Sequence, residues 1–455
     1  MTAREICDIT EGELKNLTGE EVISDYSTDS REISDNSLFI PIVGERANGH
    51  SFFNAELAKR GILSLWNRNE PLPENLPVIV VKDTLKALYK LAHHRLEKTE
   101  AKVIGISGSN GKTSVKDFLF SILSKKFKTH SNRGNLNTDI GLSLTLLSMP
   151  LDTEYAVLEM GVDHFGDMEL LSKIAPPSYF ILTNVGEAHL DDLKTKEGIA
   201  RAKTEFVENL TDFENSAIFY NGDDTFFKEA LEARKAEKKA KLFTFGYGEE
   251  NDFFPIIDEE GERIIFHLNK NENRIRLNAI GRHQALNAAA AFSLAYTLGI
   301  EASDIIEGLE GTKLSGFRTE LTKRGKFTFL NDAYKSNPSS LRAGLEAFYA
   351  LEGYSQKIAV LGDMLGIGED VEAFHSEIGE ELDFEKISLV FTMGNFSKKL
   401  HQAATRKFGD RACHFEDRKS LIEAIRKNSK EGVLIFLKAS NSEKFYELIE
   451  EVVYE

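Results

Sequence analysis

Cysteine is almost missing from this chain: Cys7 and Cys413 are the only two among 455 residues. Two residues so far apart supply neither a disulfide framework nor a cysteine zinc site. No run of 18 apolar residues occurs, so no helical membrane span is expected. The opening segment MTAREICDITEGEL lacks the apolar core of a secretory signal. Internal repeats and low-complexity tracts are absent as well. Positive charge is scarce: 56 Lys and Arg stand against 73 Asp and Glu, a net charge of −17. That balance argues against a generic nucleic-acid surface, yet leaves room for an anionic small substrate held by a few local cations. A soluble cytoplasmic protein is the expectation.

What is present is an ordinary globular composition, 41% hydrophobic and 28% charged, in a chain too long for one core. Three regions separate by pattern. Residues 1–99 hold short strand-like runs, SLFIPIVG and LPVIVVKD, with NAELAKRG as a helix between them. Residues 100–313 alternate strands such as KVIGISG, AVLEMG and YFILTNVG with helical stretches, the mark of a mainly parallel sheet. Within that region RIIFHLNKNENRIRLNAIG reads as a hairpin, and KEALEARKAEKKAKL as a charged, solvated helix. From 314 to 455 the alternation restarts in KFTFLNDAY, KIAVLGDM, SLVFTMG and GVLIFLKAS, a second doubly wound unit. The predicted class is therefore α/β in three domains.

The segment GISGSNGKTSVKDFL, residues 105–119, departs from the standard phosphate-loop spacing, because Ile106 stands where the first glycine belongs. Glycines recur instead at Gly105, Gly108 and Gly111, followed by Lys112 and Thr113. The loop joins an apolar strand to a helix marked by Val115, Phe118, Leu119, Ile122 and Leu123. At such a turn the backbone N–H groups of Gly108, Ser109, Asn110, Gly111 and Ser114 can cradle a phosphate. Lys112 would reach the β- and γ-phosphates and Thr113 a magnesium ion. Glu159 and His189 follow strand ends, so both point toward the phosphate-loop end of a parallel sheet. Lys203 falls on the apolar stripe of Ile199, Phe206 and Leu210. On the stripe alone its ammonium is expected to snorkel outward, with a cleft-facing amine as the functional alternative.

Together these motifs resemble the Mur ligases, ATP-dependent amide-forming enzymes of peptidoglycan synthesis. The resemblance covers nearly the whole chain, and the family's loop, G-x-x-G-x-x-G-K-[TS], accounts for the spacing. STDSREISDNSLFIPIVGERANGHSF resembles its N-terminal uridine-nucleotide segment and implies that Ser30 and Arg31 contact substrate. NRGNLNTDIGLSLTLL implies the same for Asn135 and Asn137, facing the muramoyl group, and LEMGVDHFGDM for His164 beside the magnesium ligand Glu159. TNVGEAHL places His189 at the metal and phosphates, and GIARAKTEF aligns Lys203 with a lysine carbamylated in this family. A carbamate can ligate magnesium, which favours the cleft-facing reading. GRHQALNAAAA puts Asn287 near adenine; SGFRTEL supplies Arg318, and NDAYKSNPSSLRA supplies Asp332, Tyr334 and Asn337.

The resemblance implies ATP and magnesium as cofactors, with UDP-N-acetylmuramoyl-tripeptide and D-alanyl-D-alanine as substrates of a monomer. The chemistry would run through an acyl phosphate, with Lys112, Glu159, His189 and Lys203 carrying it. His189 or Asp332 could take the amine proton. Four positions depart from the family pattern. Thr138 replaces an asparagine, Ser143 a proline and Lys335 an asparagine, while LKASNS, residues 437–442, replaces KGSR. Rival readings are the Mur ligase that adds the third stem residue, a folylpolyglutamate-synthase-like ligase, and a nucleotide switch without an acceptor. The N-terminal DSR segment weighs against the second. No DNPR sequence supports the first.

Overall fold

Four sheets organise the computed structural model, which describes residues 1–44, 47–188, 190–211, 215–316 and 319–454. The first comprises β1 (Glu13–Lys15), β2 (Asp25–Ser27), β3 (Ser37–Phe39), β4 (Leu63–Asn67) and β5 (Val78–Val81), in the order β1-β5-β4-β3-β2. All its pairings are parallel except β1 with β5. The helix Ala55–Lys59 lies between the two predicted strands, as its pattern indicates. Among the strands the pattern missed, β1 and β2 are three residues long with no buried residue, too little periodicity to detect.

The second sheet contains β6 (Lys102–Ser107), β7 (Thr129–Ser131), β8 (Tyr155–Glu159), β9 (Tyr179–Leu182), β10 (Ala217–Asn221) and β11 (Lys241–Phe245). Their order is β11-β10-β9-β6-β8-β7, all parallel. Strand β6 lies between β8 and β9, so the chain leaves it in both directions, and a crevice opens beyond its carboxyl end. Helix Lys112–Leu123 packs on the sheet through Val115, Phe118, Leu119 and Ile122, all buried. Helix Arg282–Thr297 lies against it, its Ala288–Ala291 run letting the backbones approach closely.

The predicted hairpin is present as β13 (Ile264–Leu268) and β14 (Asn271–Leu277), with β12 (Pro255–Glu260) added as a third antiparallel strand. The charged stretch at 228–242 is not one solvated helix. Its helix ends at Ala233, Lys235 turns left-handed at φ 54°, and the segment closes in β11. Ala230, Leu231 and Ala236 along it are buried. With Ala240, four buried apolar residues suffice to seat it, and the charges around them conceal the pattern.

The fourth sheet joins β15 (Glu320–Arg324), β16 (Phe327–Asn331), β17 (Gln356–Leu361), β18 (Leu389–Met393), β19 (Ala412–Phe415) and β20 (Val433–Lys438). Its order is β15-β16-β20-β17-β18-β19, parallel except for β15. The strands predicted here are the buried ones. β15 and β19 are edges of mixed exposure, which carry no continuous apolar run.

Helix Thr84–Thr99 docks the first sheet onto the second. Tyr89 donates its hydroxyl to Asp139. Arg95 donates to Met149 O at 2.7 and 2.9 Å, and the His93 ring lies 3.1 Å from Ile174 O.

The first glycine of the loop motif serves this packing rather than the phosphate. Gly105 pairs with Phe180 across β6 and β9, and a Cβ at Gly105 would come within 2.4 Å of that ring. The ring's other face stacks on Phe206 with centroids 3.5 Å apart. Gly105→Ala should therefore cost about 1–3 kcal/mol of stability through overpacking. Thermal unfolding should show a fall of several degrees, with ADP affinity little changed; an unaltered melting temperature would contradict this role for Gly105.

Candidate active site

The crevice beyond β6 holds the phosphate loop. Gly108 and Gly111 adopt φ of 146° and 82°, conformations that glycine reaches without strain. Close approach also demands them: a Cβ at Gly108 would fall 1.9 Å from Thr183 Oγ1, and one at Gly111 would fall 2.4 Å from Asn287 Oδ1. The loop is pinned to the segment after β9. Ser109 N donates to Asn184 O at 2.9 Å, Asn110 N to Asn184 Oδ1 at 3.0 Å, and Thr183 Oγ1 to Asn110 O at 2.5 Å. Lys112 Nζ donates to Gly108 O at 2.8 Å, curling over the loop as a phosphate-binding lysine must.

Glu159 ends β8 with its carboxylate only 4% exposed. Thr113 Oγ1 donates to its Oε2 at 2.5 Å and Asn137 Nδ2 to its Oε1 at 2.8 Å. Asn132 clamps the same residue's backbone, accepting from Glu159 N and donating to Glu159 O, each at 2.9 Å. A buried carboxylate is tolerated only when its lone pairs are satisfied in this way. Hard oxygen donors from Thr113 and Glu159 thus converge beside the phosphate loop, chemistry suited to magnesium completed by phosphate and water oxygens. Among the described residues no group of three or more His, Cys, Asp or Glu could hold a metal unaided.

Lys203 closes helix Lys196–Lys203, started by the Thr195 cap, and is 1% exposed. It faces inward and does not snorkel. Burial pushes its amine well below the usual lysine range, and the charges of Lys112 and Lys335 push it the same way against Asp163 and Glu159. Burial of this kind favours the neutral amine over the ammonium, and the neutral amine is the form that reacts with carbon dioxide.

A cavity of about 860 Å³ joins these groups to the end of the fourth sheet. Ser109, Asn110, Gly111, Lys112, Thr113, Ser114, Asn135, Asn137, Glu159 and Asn287 line one side, and Asp332 and Tyr334 the other. Asp332 forms an ion pair with buried Lys438 at 2.6 Å. The two sides are tied together: Asn337 Nδ2 donates to Asn110 Oδ1 at 2.9 Å, and Asn110 Nδ2 to Ser339 Oγ at 3.0 Å. Asn337 is itself buried, starting helix Pro338–Ala350 by accepting from Ser340 N at 2.8 Å.

Other expected residues stand elsewhere. Ser30 and Arg31 follow β2 on the first sheet, where Arg31 pairs with Asp29 and holds that carboxyl down at about 2. His164 is an exposed side chain between Asp167 and Asp192, at 3.6 and 3.5 Å. His189 and Arg318 lie outside the described residues. The departure at Thr138 has a local reason: its hydroxyl caps helix Asp139–Leu147. Ser143 Oγ donates to Asp139 O at 2.7 Å inside that helix.

Several lining residues escaped the sequence reading. Asp163 and Asp167 sit beyond β8, whereas Lys335 and Lys438, noted in the sequence only as departures from the family pattern, line the cavity beyond β16 and in β20. His283 opens helix Arg282–Thr297, and burial pushes its imidazole down to about 4, with Asp332 opposing and Lys438 assisting. Only the GRHQ motif could have flagged it, and a lone histidine carries no such signal.

Residues 106–295 match the Mur ligase middle domain, and residues 317–441 match the Mur ligase, glutamate ligase domain. The UDP-N-acetylmuramoyl-tripeptide–D-alanyl-D-alanine ligase of Bacillus subtilis is 38% identical over 99% of this chain and 98% of its own length. MurF from Acinetobacter baumannii superposes with a TM-score of 0.89 at 28% identity, covering 100% of this chain and 99% of that one. The MurF ligase of Thermotoga maritima, solved in complex with ADP, gives 0.81 at 26% identity, covering 94% and 96%.

The lowered His283 has a pH signature. Its neutral form is preferred in the folded state, so the stabilisation is present above pH 6.5 and is lost as pH falls toward about 4. Wild type should lose stability relative to His283→Gln across that window, by at most about 1.4 kcal/mol per pH unit. Denaturant unfolding at pH 7, 5.5 and 4 checks this, and a constant difference between the two proteins would speak against it.

Proposed function

The chain belongs to the Mur ligase family and is an ATP-dependent ligase; from that premise we propose that it joins D-alanyl-D-alanine to UDP-N-acetylmuramoyl-tripeptide, as a cytoplasmic monomer. The observation that carries the reading is the shared cavity, where the phosphate loop and Glu159 face Asp332, Tyr334 and Lys438, with Lys203 buried within reach of the charges of Lys112 and Glu159. The names of the similar proteins supply the substrates. In this reading residues 1–99 bind the uridine nucleotide, 100–313 bind ATP and 314–455 bind the acceptor.

Amide formation from a carboxylate needs an activated acyl group. A tripeptide carboxylate oxygen attacks the γ-phosphorus, the bond from phosphorus to the ADP oxygen breaks, and an acyl phosphate forms. The dipeptide nitrogen then adds to the acyl carbon, the carbon–oxygen bond to phosphate breaks, and phosphate leaves with the amide formed. Lys112 and the loop amides hold the phosphates in line throughout. The proton lost by the amine passes to a base, for which His283 and Asp332 at the cavity wall are candidates beside His189, the residue that the family resemblance offers.

Magnesium fits the donor set of Thr113 and Glu159, with His189 and a carbamylated Lys203 completing it. When bound, the ion offsets negative charge on the phosphates. Converting the Lys203 amine to a carbamate, with release of a proton, would replace a buried base with an anionic oxygen donor near Glu159, able to serve as a ligand. Asn135, Asn137, Ser30, Arg31, His164, Tyr334 and Asn337 belong to the proposed substrate contacts, and Asn287 and Arg318 to the nucleotide.

Phosphate release should require both UDP-muramoyl-tripeptide and D-alanyl-D-alanine. Turnover independent of either substrate would favour a nucleotide switch, and turnover with a free amino acid alone would favour the third-residue ligase. Lys203→Ala should lose most activity, on the order of a hundredfold or more for a charge-positioning group in the site, while melting like wild type. Short carboxylic acids should restore part of the rate; full activity without them would refute the role of Lys203.

A further inference from the structure

We propose that Lys335 is a catalytic residue of this enzyme, binding from the C-terminal side the phosphoryl group that passes from ATP to the substrate carboxylate. The inference rests on the ligase reading above, and it concerns a position where the family pattern has asparagine. Lys335 lies in the loop between β16 and helix Pro338–Ala350 and lines the cavity with Lys112, Thr113 and Glu159. It is an exposed residue on the wall of that space.

The loop that carries it is fixed on both sides of the residue. Lys335 O accepts from Lys438 Nζ at 2.8 Å, the same ammonium that pairs with Asp332. Two and four residues onward, Asn337 and Ser339 hydrogen-bond to Asn110, a member of the phosphate loop itself. Ser339 N also donates to Glu187 Oε2 at 3.2 Å. The Lys335 backbone is therefore held in register with the loop that cradles the phosphates.

Electrostatics point to the same ligand. Lys112 and Lys335 line one cavity from two domains, and both act on the buried Lys203 amine. Two ammonium groups facing one cavity repel, and a polyphosphate is the ligand that turns that repulsion into attraction. In a loose phosphoryl-transfer transition state, charge spreads over the equatorial oxygens, and a cation supplied from the opposite side stabilises it. The step needs no proton from Lys335: the carboxylate–phosphorus bond forms, the bond to ADP breaks, and the ammonium remains protonated. The asparagine of the family pattern carries no charge, so the device goes beyond that pattern.

The test uses the full chain and Lys335→Asn, Lys335→Gln and Lys335→Arg. Affinity for ADP alone and for ADP with aluminium fluoride, which mimics the transferring phosphoryl group, is measured by calorimetry with magnesium and the tripeptide nucleotide present. The Asn and Gln variants should bind the mimic at least tenfold more weakly and ADP within twofold of wild type. Their kcat should fall tenfold or more, with KM for the dipeptide within twofold, and the Arg variant should recover most of the rate. Unchanged mimic affinity and kcat would overturn the proposal. So would a defect confined to KM for the dipeptide, which would assign Lys335 to the acceptor carboxylate. Should wild type itself show no acceptor-dependent turnover, the ligase substrates are wrong, and the mimic comparison still judges Lys335 by itself.

Discussion

A single carboxylate taken out of water organises this site. Glu159 ends β8 almost fully buried, and an unpaired carboxylate there would cost several kcal/mol. Every neighbour answers that cost. Thr113 and Asn137 hold its oxygens, and Asn132 holds its backbone from both sides. The helix after the phosphate loop is thereby tied to the strand beside it, and the 132–139 segment is folded over both. Lys203, buried nearby without the room to ionise freely, belongs to the same balance. Removing any one of these partners leaves a charge that the rest of the site is built to accommodate.

Gly105 shows why the loop's spacing looked irregular. Three glycines at three-residue intervals suggest one repeated function, yet they do two different things. Gly108 and Gly111 provide left-handed turns and close approach around the phosphate position, whereas Gly105 makes room for the Phe180 ring. The motif thus records a packing requirement of the sheet as well as a binding requirement of the loop. A pattern that carries both is more specific than one that carries only the second.

Long buried strands and the helix after the loop were legible because their apolar periodicity is strong. β6, β8, β9, β16, β17 and β20 all fall where the runs lie. Edge strands β15 and β19 were not, since half-exposed edges need no continuous apolar run. Of the site, Lys112, Thr113, Glu159 and Asn287 were readable from motifs, and the structure brings them to one cavity. Asn132 and His283 were invisible, because a clamp or a depressed histidine depends on partners distant in sequence. Lys203 is intermediate. Its stripe position was evident, but only the surrounding burial decides which way its amine points.

Helix Thr84–Thr99 meets the central unit at three separated points, through Tyr89, His93 and Arg95. A rod held at three points along its length cannot pivot. The surface that spans the first and second sheets is therefore assembled by the chain itself, and a ligand seated across it would not have to supply the entropy of ordering those two bodies.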